Sequence, residues 1–158
     1  MKISRREFFT KTVQGAAVLA VPAVLSTVLE SCNQSNPVNS GSSSGLQKIN
    51  VTPSNNTINL AIDSSSPLAK TGSAALLQYQ NNYLLVDHPD ASTYNALSAI
   101  CTHQGCVITD FDSSNQQFVC PCHGSRFSTS GQVTKGPAGS PLSKYPSQLV
   151  NNQLQIKL

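Results

Sequence analysis

Six cysteine and histidine side chains are concentrated in two short segments of this 158-residue chain. The first segment, box 1, is residues 101–106 (Cys-Thr-His-Gln-Gly-Cys), and the second, box 2, is residues 120–125 (Cys-Pro-Cys-His-Gly-Ser). Cysteine thiolates and histidine imidazoles are common ligands of zinc and iron in proteins. The two boxes together therefore predict a metal site.

The sequence between the boxes predicts how they meet. Residues 107–111 and 116–120 flank the segment 112–115 (Asp-Ser-Ser-Asn), whose composition is typical of a turn. A β-hairpin over this segment has one box at the end of each strand. The two boxes then lie side by side at the open end of the hairpin and face a common point.

Six candidate ligands exceed the four that a tetrahedral ion takes. The surplus suggests four ligands and one disulfide, with one cysteine and one histidine from each box left to bind metal. Such a set fits zinc in a structural module that serves as a binding domain. It also fits a two-iron cluster with two thiolates on one iron and two imidazoles on the other. The residue types by themselves leave both alternatives open.

The boxes resemble the signature of the Rieske iron–sulfur family, with Cys-x-His in box 1, Cys-x-x-His in box 2 and sixteen residues between His103 and Cys120. The resemblance is close over residues 95–140 and extends by strand pattern over 47–158. It implies an all-β fold, a small antiparallel sandwich or barrel with an inserted cluster-binding subdomain at about 99–138. Further matching positions are Gly105, Pro121, Gly124 and Ser125.

The resemblance implies one Rieske-type [2Fe-2S] cluster per chain. The implied ligands are Cys101 and Cys120 on the inner iron and His103 and His123 on the outer iron. Neutral imidazole ligands favour reduction of the cluster, and their second ring nitrogens couple its potential to pH.

The resemblance also implies the surroundings of the cluster. Cys106 and Cys122 form a disulfide between the boxes, and the segment at Pro137 resembles the loop that covers the cluster from a third side. The other residues expected around the cluster are Gly105, Ser125 and Phe127.

The disulfide and an export signal favour the respiratory type of the family, as in cytochrome bc complexes and the small subunit of arsenite oxidase. Two departures weaken a quinol-oxidising role. Phe127 stands where quinol-oxidising members have a tyrosine that donates a hydrogen bond to a ligand thiolate. Gln104 stands where those members often have an apolar leucine.

The N-terminus predicts export. Residues 1–31 contain Arg5 and Arg6 ahead of the uncharged apolar run 13–29, and this order resembles a twin-arginine signal. Cys32 follows and resembles the lipidated cysteine of a lipoprotein signal, although Glu30 fits that pattern poorly. An uncut membrane anchor and plain secretion are the alternatives.

The rest of the chain predicts a tether and one β domain. Residues 32–46 are rich in Ser, Asn and Gly and are typical of a flexible tether, while 47–158 form the domain. The net charge of +3 lies mostly in the first 31 residues, which argues against a nucleic-acid partner.

Short alternating runs predict the strands. Alternate apolar residues at 58, 60 and 62 indicate a half-buried strand, and Asn pairs at 81–82 and 151–152 indicate hairpin turns. His88 lies between Asp87 and Pro89-Asp90 and is expected in a surface turn. The aromatic residues expected in the core are Tyr79, Tyr83, Phe111 and Phe118.

Together these patterns predict an exported electron-transfer protein, located in the periplasm or on the outer face of the cytoplasmic membrane. A lipid or an N-terminal anchor would tether it to the membrane. Its partners would be a cytochrome or another oxidoreductase subunit, or a quinol. No catalytic apparatus is visible in the sequence beyond the cluster. The alternatives are the iron–sulfur subunit of a quinol–cytochrome c reductase or of a periplasmic oxidoreductase, and the zinc module.

Overall fold

The structure, a computed structural model, describes residues 44–158. The predicted export signal at 1–31, Cys32 and most of the predicted tether lie outside the described residues. Within them the fold is all-β and contains no helix, so none is long and apolar enough to cross a membrane. The prediction of an all-β fold is confirmed.

In the described part of the chain, thirteen strands form three sheets. They are β1 (Ser44–Gly45), β2 (Gln47–Asn50), β3 (Thr57–Ala61), β4 (Ser73–Tyr79), β5 (Asn82–Asp90), β6 (Thr93–Ser98), β7 (Asp110–Asp112), β8 (Gln117–Val119), β9 (Arg126–Ser128), β10 (Val133–Lys135), β11 (Lys144–Tyr145), β12 (Ser147–Val150) and β13 (Gln153–Lys157). β1 lies within the segment predicted as tether, so the folded part includes at least Ser44.

The sheets have the orders β1-β7-β8-β9-β10, β11-β6-β5-β4-β2 and β12-β13-β3. Between residues 44 and 158, β2 and β4 are the one parallel pair, and all other strand pairs are antiparallel. The two boxes adjoin the first sheet, since box 1 precedes β7 and box 2 lies between β8 and β9.

The sheet that contains β4, β5 and β6 is apolar on both faces. Leu85 contributes to the core shared with Phe118 and the first sheet, whereas its neighbours Leu84 and Val86 contribute to the core shared with Ile156 and the third sheet. Successive residues of a strand point to opposite faces, so this sheet packs between the other two. The apolar residues of β5 therefore pack against the first sheet, which adjoins the boxes.

The hairpin predictions are confirmed in outline. Asn151 and Asn152 have positive φ angles of 49° and 60° between β12 and β13, as a two-residue hairpin turn requires. The turn between β4 and β5 lies one residue earlier than predicted, at residues 80–81, and Gln80 has the positive φ. Phe111 and Phe118 are buried, whereas Tyr79 and Tyr83 are only partly buried.

The prediction for His88 is wrong. Its side chain is 6% exposed within β5, where it stacks on Tyr94 with ring centroids 4.2 Å apart. Its Nδ1 lies 2.9 Å from the carbonyl oxygen of Leu68, a partner twenty residues away. An irregularity in the β5–β6 pairing accommodates Pro89, which lacks an N–H, so the strand continues through a sequence that is typical of a turn.

Candidate metal centre

The two boxes share one backbone design. In box 1 the N–H of Gly105 donates to the carbonyl of Cys101 at 2.9 Å, and in box 2 the N–H of Gly124 donates to that of Cys120 at 3.0 Å. The two glycines have φ angles of +74° and +72°, a conformation that residues with a Cβ rarely adopt. Each box is thus a tight loop with a cysteine at its start.

The loops are closed at their bases in the same way. The N–H of Cys101 donates to the carbonyl of Cys106, and the N–H of Cys120 donates to that of Ser125. An isolated bridge between Ile100 and Val107 extends the closure of box 1. The strands β7, β8 and β9 between and after the boxes fix the two loops relative to each other.

A disulfide links the loops. Cys106 and Cys122 are bonded with an S–S distance of 2.12 Å, which is the pairing that the family resemblance implied. The sulfur atoms of Cys106, Cys120 and Cys122 lie within 4.8 Å of one another. This trio is not a ligand set, because the two disulfide sulfurs are not thiolates. The disulfide instead lies beside the Cys120 thiol.

Cys101 and Cys120 have free thiols, and both side chains are buried. Burial raises the pKa of the Cys120 thiol, and the neighbouring Cys101 thiol adds to the increase. The backbone N–H groups of Cys122 and His123 act in the opposite direction, because they donate towards the Cys120 sulfur. Two adjacent buried thiols, one of them with N–H donors, suit an anionic metal centre that replaces their protons.

The two box histidines lie together. The ring centroids of His103 and His123 are 4.8 Å apart and the rings are nearly perpendicular. His123 is exposed and His103 is partly buried. The Nδ1 atom of His103 is buried and has no hydrogen-bond partner among the described residues. A buried nitrogen without a partner is costly unless a group such as a metal ion occupies it.

A third loop, residues 136–141, packs against both boxes. Its peptide bond between Gly136 and Pro137 is cis. Ala138 is 5% exposed and belongs to the same core as Cys101 and Cys120. The third loop therefore covers the buried thiols, with Pro137 itself on the exposed side.

Ser125 connects box 2 to the third loop. Its side chain is fully buried, and its Oγ accepts a hydrogen bond from the N–H of Ala138 at 3.0 Å. The hydroxyl hydrogen of Ser125 remains available to donate to another acceptor. Sequence reasoning did not find Ala138 as its partner, since no local pattern relates residues thirteen positions apart.

Phe127 and Gln104 lie in contrasting surroundings. Phe127 is fully buried in the core that contains Cys101 and Cys120, where it pairs in register with Phe118. Gln104 is exposed at the tip of box 1. Phe127 therefore belongs to the core that also contains the two thiols, whereas the side chain of Gln104 is exposed to solvent.

Thr102 is a site residue that the sequence did not reveal. Its hydroxyl donates to the carbonyl of Ser140 at 2.6 Å, which ties box 1 to the third loop. The residue stands between two predicted ligands, but threonine is not a metal ligand in this pattern. Only the fold, which brings positions 38 residues apart together, identifies its partner.

These residues fit a two-iron cluster better than a single ion. The thiols of Cys101 and Cys120 are buried beneath the third loop, and the rings of His103 and His123 lie together on the outer side. Such a division into a sulfur side and a nitrogen side matches a cluster with thiolates on one iron and imidazoles on the other. Fold and site together define an iron–sulfur protein of the electron-transfer class.

The Rieske [2Fe-2S] domain family matches residues 60–146, which is more than half of the chain. The chain belongs to this family and is a Rieske iron–sulfur electron-transfer protein.

Curated relatives match the chain over part of their length. The cytochrome b6-f complex iron-sulfur subunit of Parasynechococcus marenigrum is 48% identical over 56 residues, which are 35% of this chain and 31% of the relative. The cytochrome b6-f complex iron-sulfur subunit of Chlorobaculum thiosulfatiphilum is 32% identical over 85 residues, or 54% of this chain and 46% of the relative. The chain thus spans less than half the length of these relatives.

Among solved structures, the ferredoxin of carbazole 1,9a-dioxygenase from Nocardioides aromaticivorans superposes with a TM-score of 0.50 at 20% identity. The match covers 63% of this chain and 96% of the ferredoxin. At this level of identity the likeness supports the fold alone.

Proposed function

We propose that the protein is an exported, membrane-tethered carrier of single electrons, with one [2Fe-2S] cluster held by Cys101, Cys120, His103 and His123. The observation that carries the ligand assignment is the buried Nδ1 of His103, which has no hydrogen-bond partner among the described residues. The ring of His123 lies against that of His103, and the same boxes contribute two free buried thiols. When bound, the cluster accepts and releases one electron. The chain orients the four ligands, keeps water from the thiols and leaves the exposed His123 accessible to a partner.

The proposed tethering rests on the sequence of the N-terminus. Arg5 and Arg6 before an uncharged apolar run support export of the folded, cluster-loaded protein by the twin-arginine route. Cys32 at the end of that run supports a lipid anchor, and the Ser- and Asn-rich residues after it support a tether. A disulfide between Cys106 and Cys122 suits an oxidising compartment outside the cytoplasm.

Cell fractionation tests the tethering. The full chain, Arg5→Lys with Arg6→Lys, and Cys32→Ser are expressed and followed by immunoblot. We expect the full chain on the outer face of the membrane, the lysine variant in the cytoplasm, and Cys32→Ser released into the periplasm. A lysine variant that is exported normally would contradict the twin-arginine route. A Cys32→Ser protein that stays on the membrane would contradict the lipid anchor and favour an uncut one.

A second candidate is a subunit of a quinol-oxidising complex, and the cytochrome b6-f relatives favour it. The exposed Gln104 argues for the free carrier, because a polar side chain at the tip suits a wet, reversible interface with another protein. The two candidates differ in what accompanies the protein. Purification of a tagged full chain from gently solubilised membranes should yield it free or with substoichiometric cytochrome. Stoichiometric co-purification with a haem b protein would favour the complex.

A further inference from the structure

The disulfide between the boxes has one exposed end and one partly buried end. Cys122 is exposed and lies between two further exposed residues, Pro121 and His123. Cys106 is partly buried and packs against the hydrophobic core, and its carbonyl accepts a hydrogen bond from the N–H of Cys101. A reagent in solvent therefore reaches the Cys122 end of the disulfide first. Access of this kind helps to decide which sulfur of a disulfide is attacked.

A free thiol lies beside the same disulfide. The Cys120 sulfur is within 4.8 Å of the sulfurs of Cys106 and Cys122. Cys101 is the second free thiol of the boxes, and both free thiols are buried, so neither is open to a reagent in solvent. Inside the site, however, Cys120 is close enough to compete with Cys106 for a bond to Cys122. Ligation to iron removes this competition, because a metal-bound thiolate is no longer a free nucleophile.

From this arrangement we infer that Cys122 is a site of thiol–disulfide exchange, where a small external thiol or its disulfide forms a mixed disulfide and Cys106 is the leaving and resolving partner. The inference rests on the proposed cluster ligands, because occupation of the two free thiols confines the exchange to the disulfide pair. The mixed disulfide on Cys122 is the intermediate through which the bond between the boxes opens and closes in an oxidising compartment.

The exchange step conserves electrons and protons. The sulfur of the external thiol bonds to the Cys122 sulfur, the bond between Cys122 and Cys106 breaks, and Cys106 leaves as a thiol that takes up the proton of the reagent. In the reverse step the Cys106 sulfur attacks the Cys122 sulfur, the external thiol leaves and the native disulfide closes again. When Cys120 is not bound to metal, attack by its sulfur on the same mixed disulfide closes a non-native bond instead.

Trapping with glutathione tests the exchange site. The cluster-loaded full chain is prepared with Cys32→Ala, so that of its five cysteines only the four in the boxes remain. It is incubated with reduced and oxidised glutathione, quenched with an alkylating reagent and mapped by peptide mass spectrometry. We expect glutathione on Cys122 and the alkyl group on Cys106. Glutathione mainly on Cys106, equally on both cysteines or on neither would overturn the assignment of Cys122.

The same incubation in urea is the matched control. Unfolding exposes Cys106 and Cys122 alike, so the preference of glutathione for Cys122 should be lost. A preference that persisted in the unfolded chain would come from the neighbouring residues in the sequence, and it would contradict the difference in burial as its cause.

Removal of the cluster tests the confinement. A sample stripped with an iron chelator receives the same glutathione mixture in native buffer. We expect disulfides that contain Cys120 in the stripped sample and only the disulfide between Cys106 and Cys122 in the loaded one. Disulfides that contain Cys120 in both samples, or in neither, would overturn the confinement.

The visible absorption of the cluster is recorded on the loaded sample before each incubation, so that the two proposals fail separately. A freshly purified protein without that absorption would contradict the proposed cluster. Intact absorption with glutathione on Cys106 rather than Cys122 would contradict the exchange site alone.

Discussion

The N–H of Ala138 donates to the hydroxyl of Ser125 at 3.0 Å, inside the core that holds the two free thiols. A hydroxyl that accepts from a backbone N–H still has its own hydrogen to donate. Because Ser125 is fully buried and is the last residue of box 2, the bond to Ala138 orients that hydrogen. The third loop thus helps to set a hydrogen-bond donor next to the site.

Ser125→Ala should lower the reduction potential of the cluster. A donor to cluster sulfur stabilises the extra electron density of the reduced state, so its loss favours the oxidised state. A loss of about 1–2 kcal/mol corresponds to roughly 40–90 mV for a one-electron couple. Protein-film voltammetry measures the shift. Ser128→Ala is the control, because that hydroxyl contacts Ser130 instead. A potential at or above that of wild type would contradict this role of Ser125.

Phe127→Tyr should raise the reduction potential. Phe127 is fully buried in the core shared with Cys101 and Cys120, so a phenolic hydroxyl there can donate to a ligand thiolate. One such bond, at about 1–2 kcal/mol, raises the potential by roughly 40–90 mV. Voltammetry at one pH compares this variant with Phe111→Tyr, whose ring lies on β7 at the other side of Phe118. If Phe127→Tyr leaves the potential unchanged while the cluster spectrum is intact, position 127 does not face the cluster.

The double variant Cys106→Ala/Cys122→Ala should retain the four cluster ligands but bind the cluster less tightly than wild type. The disulfide restrains two loops rather than binding iron, and loss of a native disulfide from a small domain costs about 2–5 kcal/mol. Alanine avoids placing new thiols near Cys120. The midpoint temperature of thermal unfolding should be lower, and the rate of cluster loss higher, than in Cys32→Ala, which keeps the disulfide. Two free thiols at 106 and 122 in the unfolded, alkylated wild-type protein would contradict the disulfide.

Asp87 should make the domain less stable as pH rises. Burial raises the pKa of Asp87 to about 7 from the ordinary 3.8, although a hydrogen bond from Asn95 lowers it in part. Its Oδ1 is buried without a partner among the described residues. Between about pH 4 and pH 7 the unfolded chain loses this proton while the folded chain keeps it. The free energy of unfolding therefore falls across this window, by about 4 kcal/mol at most.

Urea unfolding at several pH values tests this expectation. Asp87→Asn should lack the Asp87-dependent decrease and should gain stability over wild type towards neutral pH. Asp63→Asn serves as the control, because the pKa of that exposed carboxyl is lowered by Ser65 and its contribution has the opposite sign. A constant difference between Asp87→Asn and wild type from pH 4 to pH 8 would show that Asp87 is ionised in the folded protein.

Much of the site was predictable because its information is local. The spacing of the boxes, the asparagines at 151–152 and the alternation from Ile58 to Ile62 each depend on a few neighbouring residues. The burial of His88 was not predictable from the sequence. Its side chain bonds a carbonyl twenty residues away, and an irregular strand pairing lets β5 continue through a sequence that is typical of a turn. The contact between Thr102 and Ser140 was not predictable either, since it depends on how the third loop folds back.

Pulsed electron paramagnetic resonance of the reduced full chain tests whether two thiolates and two imidazoles hold one two-iron cluster. We expect the signal of a reduced two-iron cluster with strong couplings to two histidine nitrogens. Cys101→Ser and Cys120→Ser should each abolish the cluster, because a missing thiolate leaves an iron underligated. A signal without nitrogen coupling, or a protein that carries zinc and gives no signal, would contradict this ligand set.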